Sequence, residues 1–399
     1  MLARRMRNLG METAFEMLAK AKALEAQGKD VVHLEIGEPD FDTPSHIVEA
    51  AVDALRQGYT HYGPGPGLPE LREAVARNVS DTRGIKVAPE QVVVTPGAKP
   101  IMFFTILALA QQGREVIYPN PGFPIYESMI RYCGAKPVPM RLLEERGYHP
   151  DLEDLASKIN EKTSLIILNS PHNPTGSMLS VPELVAISEK LEGRDDVFVL
   201  SDEIYKDIIY GSGEETKSQN GHKSIASLPG MADKTIILDG LSKSYAMTGW
   251  RLGYGVFPRH LVPPISKLIS NSVSCAASFV QMAAISAIEG TQDPVRGMVE
   301  EFRRRRDLIV DGLESIPGIN CPLPEGAFYA FASVKDTGID SYEFQERALN
   351  EAGVALLDGR SFGQYGKGFI RISYANSQEN LIKAVDRLGD FVAKVAKKR

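Results

Sequence analysis

A chain of 399 residues, at roughly 100–200 residues per domain, has room for two or three domains. Its 43% hydrophobic and 24% charged residues are the balance of a globular protein with a large core. The net charge of −6 argues against an extended nucleic-acid surface, which needs dense positive charge facing the phosphates. A local basic run such as 303–306 (RRRR) follows Glu300 and Glu301 and reads as the solvated face of a helix. Three cysteines without a Cys-x-x-Cys pair, and seven histidines without a His-x-x-x-His spacing, give neither a disulfide framework nor a metal site. A reducing cytoplasm suits them. The arginines of residues 1–10 have no apolar run behind them, so no signal peptide is expected. The longest apolar stretch, 101–110, is too short to cross a bilayer.

In chain order, residues 11–27 have a helical pattern broken at Gly28. The turns at 61–67 (HYGPGPG) and 119–122 (PNPG) are Gly/Pro punctuation. Then apolar runs alternate with helical patterns: strand 91–95 and helix 98–110, strand 115–118 and helix 124–132, strand 164–168 and helix 181–191, and strands 197–200 and 235–238. These runs are continuous and β-branched, not alternating, so both faces of each strand should be covered. Strand–helix alternation of this kind predicts a mainly parallel sheet clothed by helices. After a long charged helix at 294–313, segments 326–332 (GAFYAFA) and 368–374 (GFIRISY) alternate like half-buried antiparallel strands, and 378–395 is an amphipathic helix. The expected division is a large α/β domain over 47–293 and a smaller α+β domain formed by 1–46 with 294–399.

Ligands bind at the carboxyl ends of strands in an open parallel sheet. Those ends here deliver Gly97-Ala98-Lys99, Pro121-Gly122-Phe123, 169–176 (NSPHNPTG), then Asp202, Glu203 and Tyr205, then Ser242-Lys243-Ser244, with Gly249-Trp250-Arg251 close behind. A lysine, a carboxylate, a phenol, an amide, small hydroxyls, an arginine, an aromatic ring and a helix start thus gather at one edge. The set suits a phosphorylated aromatic cofactor with a protonatable ring.

Ser242-Lys243-Ser244 followed by 248–254 (TGWRLGY) resembles the cofactor-lysine segment of the class I aminotransferases, enzymes of the aspartate aminotransferase fold. Four more stretches match in the same order: 37–41 (GEPDF), 173–176 (NPTG), 201–205 (SDEIY) and 371–374 (RISY). Five in order are far more specific than any one. The resemblance spans about 28–392. It implies fold type I: a mainly parallel seven-stranded sheet in the large domain and a smaller α+β domain. It also implies pyridoxal 5′-phosphate as cofactor, a homodimer with shared active sites, and ping-pong transfer of an amino group from an amino acid to a 2-oxo acid.

The resemblance implies a role for each matched residue, and several have an ordinary structural alternative. Lys243 would bond the cofactor aldehyde and act as base on the substrate's α-proton, which requires a lowered pKa. Asp202 would face the cofactor's ring nitrogen and keep it protonated; a helix N-cap is the other use of an aspartate there. Tyr205 and Asn173 would bond the cofactor's phenolic oxygen, and Asn173 could equally make an Asx turn. Gly97, the N–H groups of Ala98 and Lys99, Ser242 and Arg251 would hold the phosphate, although Gly97 alone fits any tight turn. Phe123 would stack on the ring. Tyr62 would reach the phosphate of the partner subunit's site, or simply pack beside its Gly/Pro turn. Arg371, helped by Asn173 and the N–H of Gly37, would grip the substrate's α-carboxylate, the alternative being a buried ion pair.

Lys99 aligns with a lysine that contacts the distal carboxylate in some bacterial aspartate aminotransferases. That makes aspartate or glutamate, with 2-oxoglutarate as acceptor, the leading substrates, unless Lys99 is only a helix-start charge. Phe15 on a rim poor in polar groups suggests alanine or a larger apolar or aromatic donor instead. A carbon–sulfur β-lyase shares the fold and is the further alternative. Three features depart from the family pattern: His172 stands where asparagine is common, Pro100 where glutamine or glutamate is, and the pocket rim 11–17 carries Phe15 and few polar groups. A proline in the first helical turn leaves the phosphate contacts possible.

Overall fold

The computed structural model describes residues 2–211 and 221–396. Thirteen strands and their helices build three sheets among the described residues. Helix α1, Thr13–Glu25, comes first, then β1 (Val32–His33), α2 (Ser45–Arg56) and α3 (Pro69–Arg83). The central succession is β2 (Val92–Thr95), α4 (Lys99–Leu109), β3 (Glu115–Asn120), α5 (Pro124–Tyr132), β4 (Lys136–Leu143), β5 (His149–Pro150), β6 (Thr163–Asn169), β7 (Phe198–Asp202), β8 (Thr235–Gly240) and β9 (Gly253–Val256). These strands form one sheet in the order β2-β9-β8-β7-β6-β3-β4-β5. The neighbours from β8 through β4 pair in parallel. β9 runs antiparallel to both β2 and β8.

The expected seven strands are present, with an addition: β5 is a two-residue strand hairpinned onto the edge of β4. Neither β4 nor β9 was foreseen as a strand. β4 carries Pro137 and Pro139, and half of β9 is glycine, both of which weaken a strand signal. The continuous apolar runs are buried on both faces, as expected. In β6, Ile166 and Leu168 enter one core with Ile117 and Val199, while Leu165 and Ile167 enter another with Val116, Leu200 and Leu238. Burying each such side chain is worth about 1.5–3 kcal/mol.

Past the helix Asp293–Glu314 come β10 (Tyr329–Ser333), β11 (Val354–Ala355), β12 (Leu357–Asp358) and β13 (Phe369–Ser373). β10, β13 and β12 form an antiparallel sheet, and β1 pairs with β11. The antiparallel pairing is as expected, but the half-buried character is not: every residue of β10 and β13 is buried. Ala330, Ala332, Ile370 and Ile372 pack with Phe302 and Ile309 of the long helix and Leu381 and Leu388 of the helix Gln378–Ala396. On the other face, Phe331 and Phe369 pack with Met17 and Ala21 of α1 and with Tyr148. α1 thus covers the side that would otherwise meet water. Among the described helices none is long and apolar enough to cross a membrane.

Candidate active site

The strands that share one direction end at the same edge, so the turns after β2, β6, β7 and β8 converge there. β9 runs the other way, so the residues before it arrive at that edge too. Arg251 comes by this route. Gly253, at the start of β9, lies against the helix start: a Cβ there would stand 2.4 Å from the backbone nitrogen of Ala98. Only glycine permits that approach.

A cavity of about 480 Å³ opens at this edge. Lys243, Asp202, Tyr205, Asn173, Ser242, Arg251, Ala98, Lys99, Phe123, Gly37, Arg371 and Phe15 all line it. Two sequence candidates lie outside the lining. Gly97 (φ +80°) sits beneath Arg251, where a Cβ would come within 2.3 Å of the guanidinium, so its bareness makes room for that side chain. Tyr62 stands on the surface, 91% exposed.

The Lys243 amine donates to the Gly37 carbonyl at 2.5 Å and faces the rings of Tyr205 and Phe328. Burial lowers its pKa to about 8; the Glu38 carboxylate opposes that shift, and the positive charges of Arg371, Lys99 and Arg251 add to it. Asp202, the last residue of β7, is buried. Burial raises its carboxyl pKa to about 6, against the lowering effect of a 2.5 Å bond donated by the Tyr126 phenol. Its other oxygen accepts the backbone N–H of Ile204 at 3.3 Å. The cap-like use and the cavity-facing use therefore coexist in this residue.

Behind Asp202, Arg83 from the end of α3 bonds Glu203 at 3.0 Å and Asp239 at 2.8 Å, all three buried. This ties the ends of β7 and β8 together beneath the cavity. Breaking such a buried pair costs about 3–5 kcal/mol.

Arg371 from β13 is buried. Its Nη1 donates to the Asn173 side chain at 3.3 Å and its Nη2 to the Glu35 carbonyl, and the faces of Tyr329 and Phe362 lie 4.7 and 4.9 Å from it. Its Nε is buried without a hydrogen-bond partner. A buried guanidinium left with a spare donor is what an incoming carboxylate would complete. Tyr205 and Tyr329 share a 2.8 Å bond between their hydroxyls. Arg251 adopts φ +54°, a left-handed conformation uncommon for a side-chain-bearing residue, and donates to the Thr248 carbonyl at 2.7 Å.

Of the three departures, Pro100 and His172 have structural explanations, and the rim 11–17 is less apolar than expected because Glu12 lines the cavity. Pro100 occupies the first turn of α4, where no intrahelical N–H is lost. His172 is buried, bonded to Thr175 at 2.7 Å, and burial drops its pKa to about 3, so the ring is neutral.

Six more residues stand on the cavity wall: Tyr126, Tyr329 and Glu12 lie outside every matched motif, while Glu38, Asn169 and Thr248 lie inside the stretches 37–41, 169–176 and 248–254 but had no role assigned. Tyr126 had a signal: it lies within one helical turn of Phe123 and meets that ring edge-on at 5.6 Å. Glu12 and Tyr329 had none, because the fold brings them in from distant segments.

A family model for aminotransferase class I and II matches residues 29–388. A protein of Pyrococcus abyssi named aspartate aminotransferase is 42% identical over 363 residues, 90% of this chain and 91% of its own length. An aromatic-amino-acid aminotransferase of Thermococcus litoralis is 38% identical over 367 residues, 91% of this chain and 92% of its own. The solved structure of the Rhizobium meliloti aspartate aminotransferase superposes with a TM-score of 0.92 at 34% identity, covering 98% of this chain and 99% of that one. The chain belongs to the class I and II aminotransferases, transaminases of fold type I that work with pyridoxal phosphate.

Proposed function

We propose that this aminotransferase carries pyridoxal 5′-phosphate on Lys243 and moves the amino group of an L-amino acid, aspartate or glutamate first, to a 2-oxo acid such as 2-oxoglutarate. The observation that carries the reading is the half-buried, pKa-lowered amine of Lys243 in one cavity with the Asp202 carboxylate and the Arg371 guanidinium. The donor set fits the cofactor. Ala98 and Lys99 at the start of α4, with Ser242 and Arg251, offer donors to a phosphate. Gly97 supports them by leaving space for Arg251. Phe123 offers a ring face, Tyr205 and Asn173 offer donors to a phenolic oxygen, and Asp202 offers a buried carboxylate to a pyridine nitrogen.

When bound, the protonated ring supplies an electron sink for the pair released as the substrate Cα–H bond breaks. The chain supplies the rest. Arg371, with Asn173 and the Gly37 backbone, orients the α-carboxylate. Lys243 Nζ takes the Cα proton, and holding it nearby raises its effective molarity by orders of magnitude. Asp202 is buried, so its charge meets a pyridine nitrogen with little competition from water, while Lys243 is half-buried and its amine opens on the cavity.

Lys99 is the basis for acidic substrates, since its ammonium stands on the cavity rim. A neutral donor, alanine or an apolar or aromatic amino acid, is the second reading, favoured by Phe15, 61% exposed at the same rim. Tyr62, exposed and away from its own cavity, is suited to complete the site of a partner subunit in a homodimer. The division into a large domain over 47–293 and a smaller one formed by 1–46 and 294–399 belongs to this reading. So does a cytoplasmic location, in keeping with free Cys133, Cys275 and Cys321. A panel of amino donors with 2-oxoglutarate tests the substrate. Aspartate should lead, with glutamate assayed against oxaloacetate because its transfer to 2-oxoglutarate only regenerates the starting pair, and Lys99→Ala should lose that lead; an unchanged aspartate rate in Lys99→Ala would refute it.

A further inference from the structure

Lys99, offered above to a substrate's distal carboxylate, already has a carboxylate on it. Glu12 Oε1 pairs with Lys99 Nζ, and both residues line the cavity. The Glu12 side chain is 17% exposed and the Lys99 side chain 52%, so the glutamate is the more enclosed partner. Its negative charge also reaches Arg371 and Tyr329 across the cavity. Glu12 stands at the N-cap position of α1, where a carboxylate would commonly bond its own helix, yet it makes no side-chain cap bond. The residues just before it, 9–12, have no regular structure. On the other side, the Lys99 ammonium lies 5.5 Å from the centre of the Phe123 ring, which holds it toward the cavity.

We propose that Glu12 is an intramolecular competitor for Lys99: it takes the ammonium that the distal carboxylate of an acidic substrate needs, and so sets how far the enzyme prefers acidic over neutral donors. This rests on the reading of Lys99 as the acidic-substrate residue. A dicarboxylic substrate must exchange with Glu12, which swings outward on the irregular segment. A neutral side chain leaves the pair closed and meets Phe15 and the Lys99 stem. Partly exposed ion pairs are weak, so the competition costs an acidic ligand about three- to fivefold in affinity. The preference should also depend on salt, because the pair is not fully shielded.

The test uses the cofactor-loaded enzyme and two readouts. One is the dissociation constant of maleate, a four-carbon dicarboxylate that cannot donate an amino group. The other is KM and kcat for aspartate and for alanine. Glu12→Gln should lower the maleate dissociation constant and the aspartate KM about three- to fivefold, and shift the aspartate-to-alanine ratio of kcat/KM in the same direction. In a Lys99→Met background, Glu12→Gln should give no such gain. If Lys99→Met alone leaves maleate and aspartate binding unchanged, the acidic-substrate reading itself falls. If Lys99→Met weakens them but Glu12→Gln strengthens neither, or weakens them further, Glu12 is not a competitor and only this inference is overturned.

Discussion

The phenol of Tyr126 donates to the carboxylate of Asp202 at 2.5 Å, joining the first turn of α5 to the last residue of β7. The bond lowers the Asp202 pKa against the upward push of burial. It therefore helps keep Asp202 charged, which is the state that a protonated ring nitrogen requires. Tyr126→Phe removes it and should raise the Asp202 pKa further above about 6. We expect kcat to fall about tenfold and the cofactor to dissociate more readily, the loss of one hydrogen bond to a charged group being worth about 1.5–3 kcal/mol. Steady-state kinetics and a cofactor titration check both.

Arg371 presents two nitrogens to known partners and a third to none. Arg371→Lys keeps the charge and loses the planar fork. It should raise KM for every α-amino acid alike and lower kcat/KM about a hundredfold, because Lys cannot reproduce a bidentate grip. A loss restricted to acidic donors would assign Arg371 to the distal carboxylate instead.

An amine attacks an aldehyde only when it is unprotonated. With the Lys243 pKa lowered to about 8 from 10.5, the free-amine fraction at pH 8 is greater than that of an ordinary lysine by on the order of a hundredfold. The rate at which the cofactor-free protein takes up pyridoxal phosphate should therefore rise with pH and level off above about 8. Stopped-flow absorbance measures it, and a rate still climbing steeply near pH 10 would contradict the lowered value.

His149 on β5 bonds Glu183, which caps the helix Val181–Lys190, and lies 3.4 Å from Glu325. The bonds to Glu183 and Glu325 raise its pKa to about 10 from 6.5. A raised value in the folded state means the protonated ring stabilises the fold. That contribution is complete below about pH 6.5 and is lost as pH rises toward 10. His149→Gln should cost on the order of 1 kcal/mol at pH 6, discounted for partial exposure, and nothing near pH 10. Denaturant midpoints at the two pH values would show it.

Much of the site was legible because catalytic groups follow strands whose burial is written in β-branched runs. Ser164 to Leu168 leads to Asn173, and Val197 to Leu200 leads to Asp202 and Tyr205. Arg251 was found by motif alone, since the strand that explains its position, β9, hides behind Gly253 and Gly255. The burial of β10 and β13 on both faces could not be read from their own alternation: Met17 and Ala21, some 300 residues earlier, supply the cover. Glu12 is the same kind of case. A carboxylate before a helix has no local mark of its partner, and only the fold sets it against Lys99.

Borohydride reduction of the pyridoxal-phosphate-loaded protein, followed by peptide mass mapping, reads which lysine holds the cofactor. One cofactor adduct is expected, on the peptide containing Lys243, with no adduct and no visible absorbance in Lys243→Ala. An adduct on a different lysine, or a protein that takes up none of the cofactor, would contradict the assignment of Lys243.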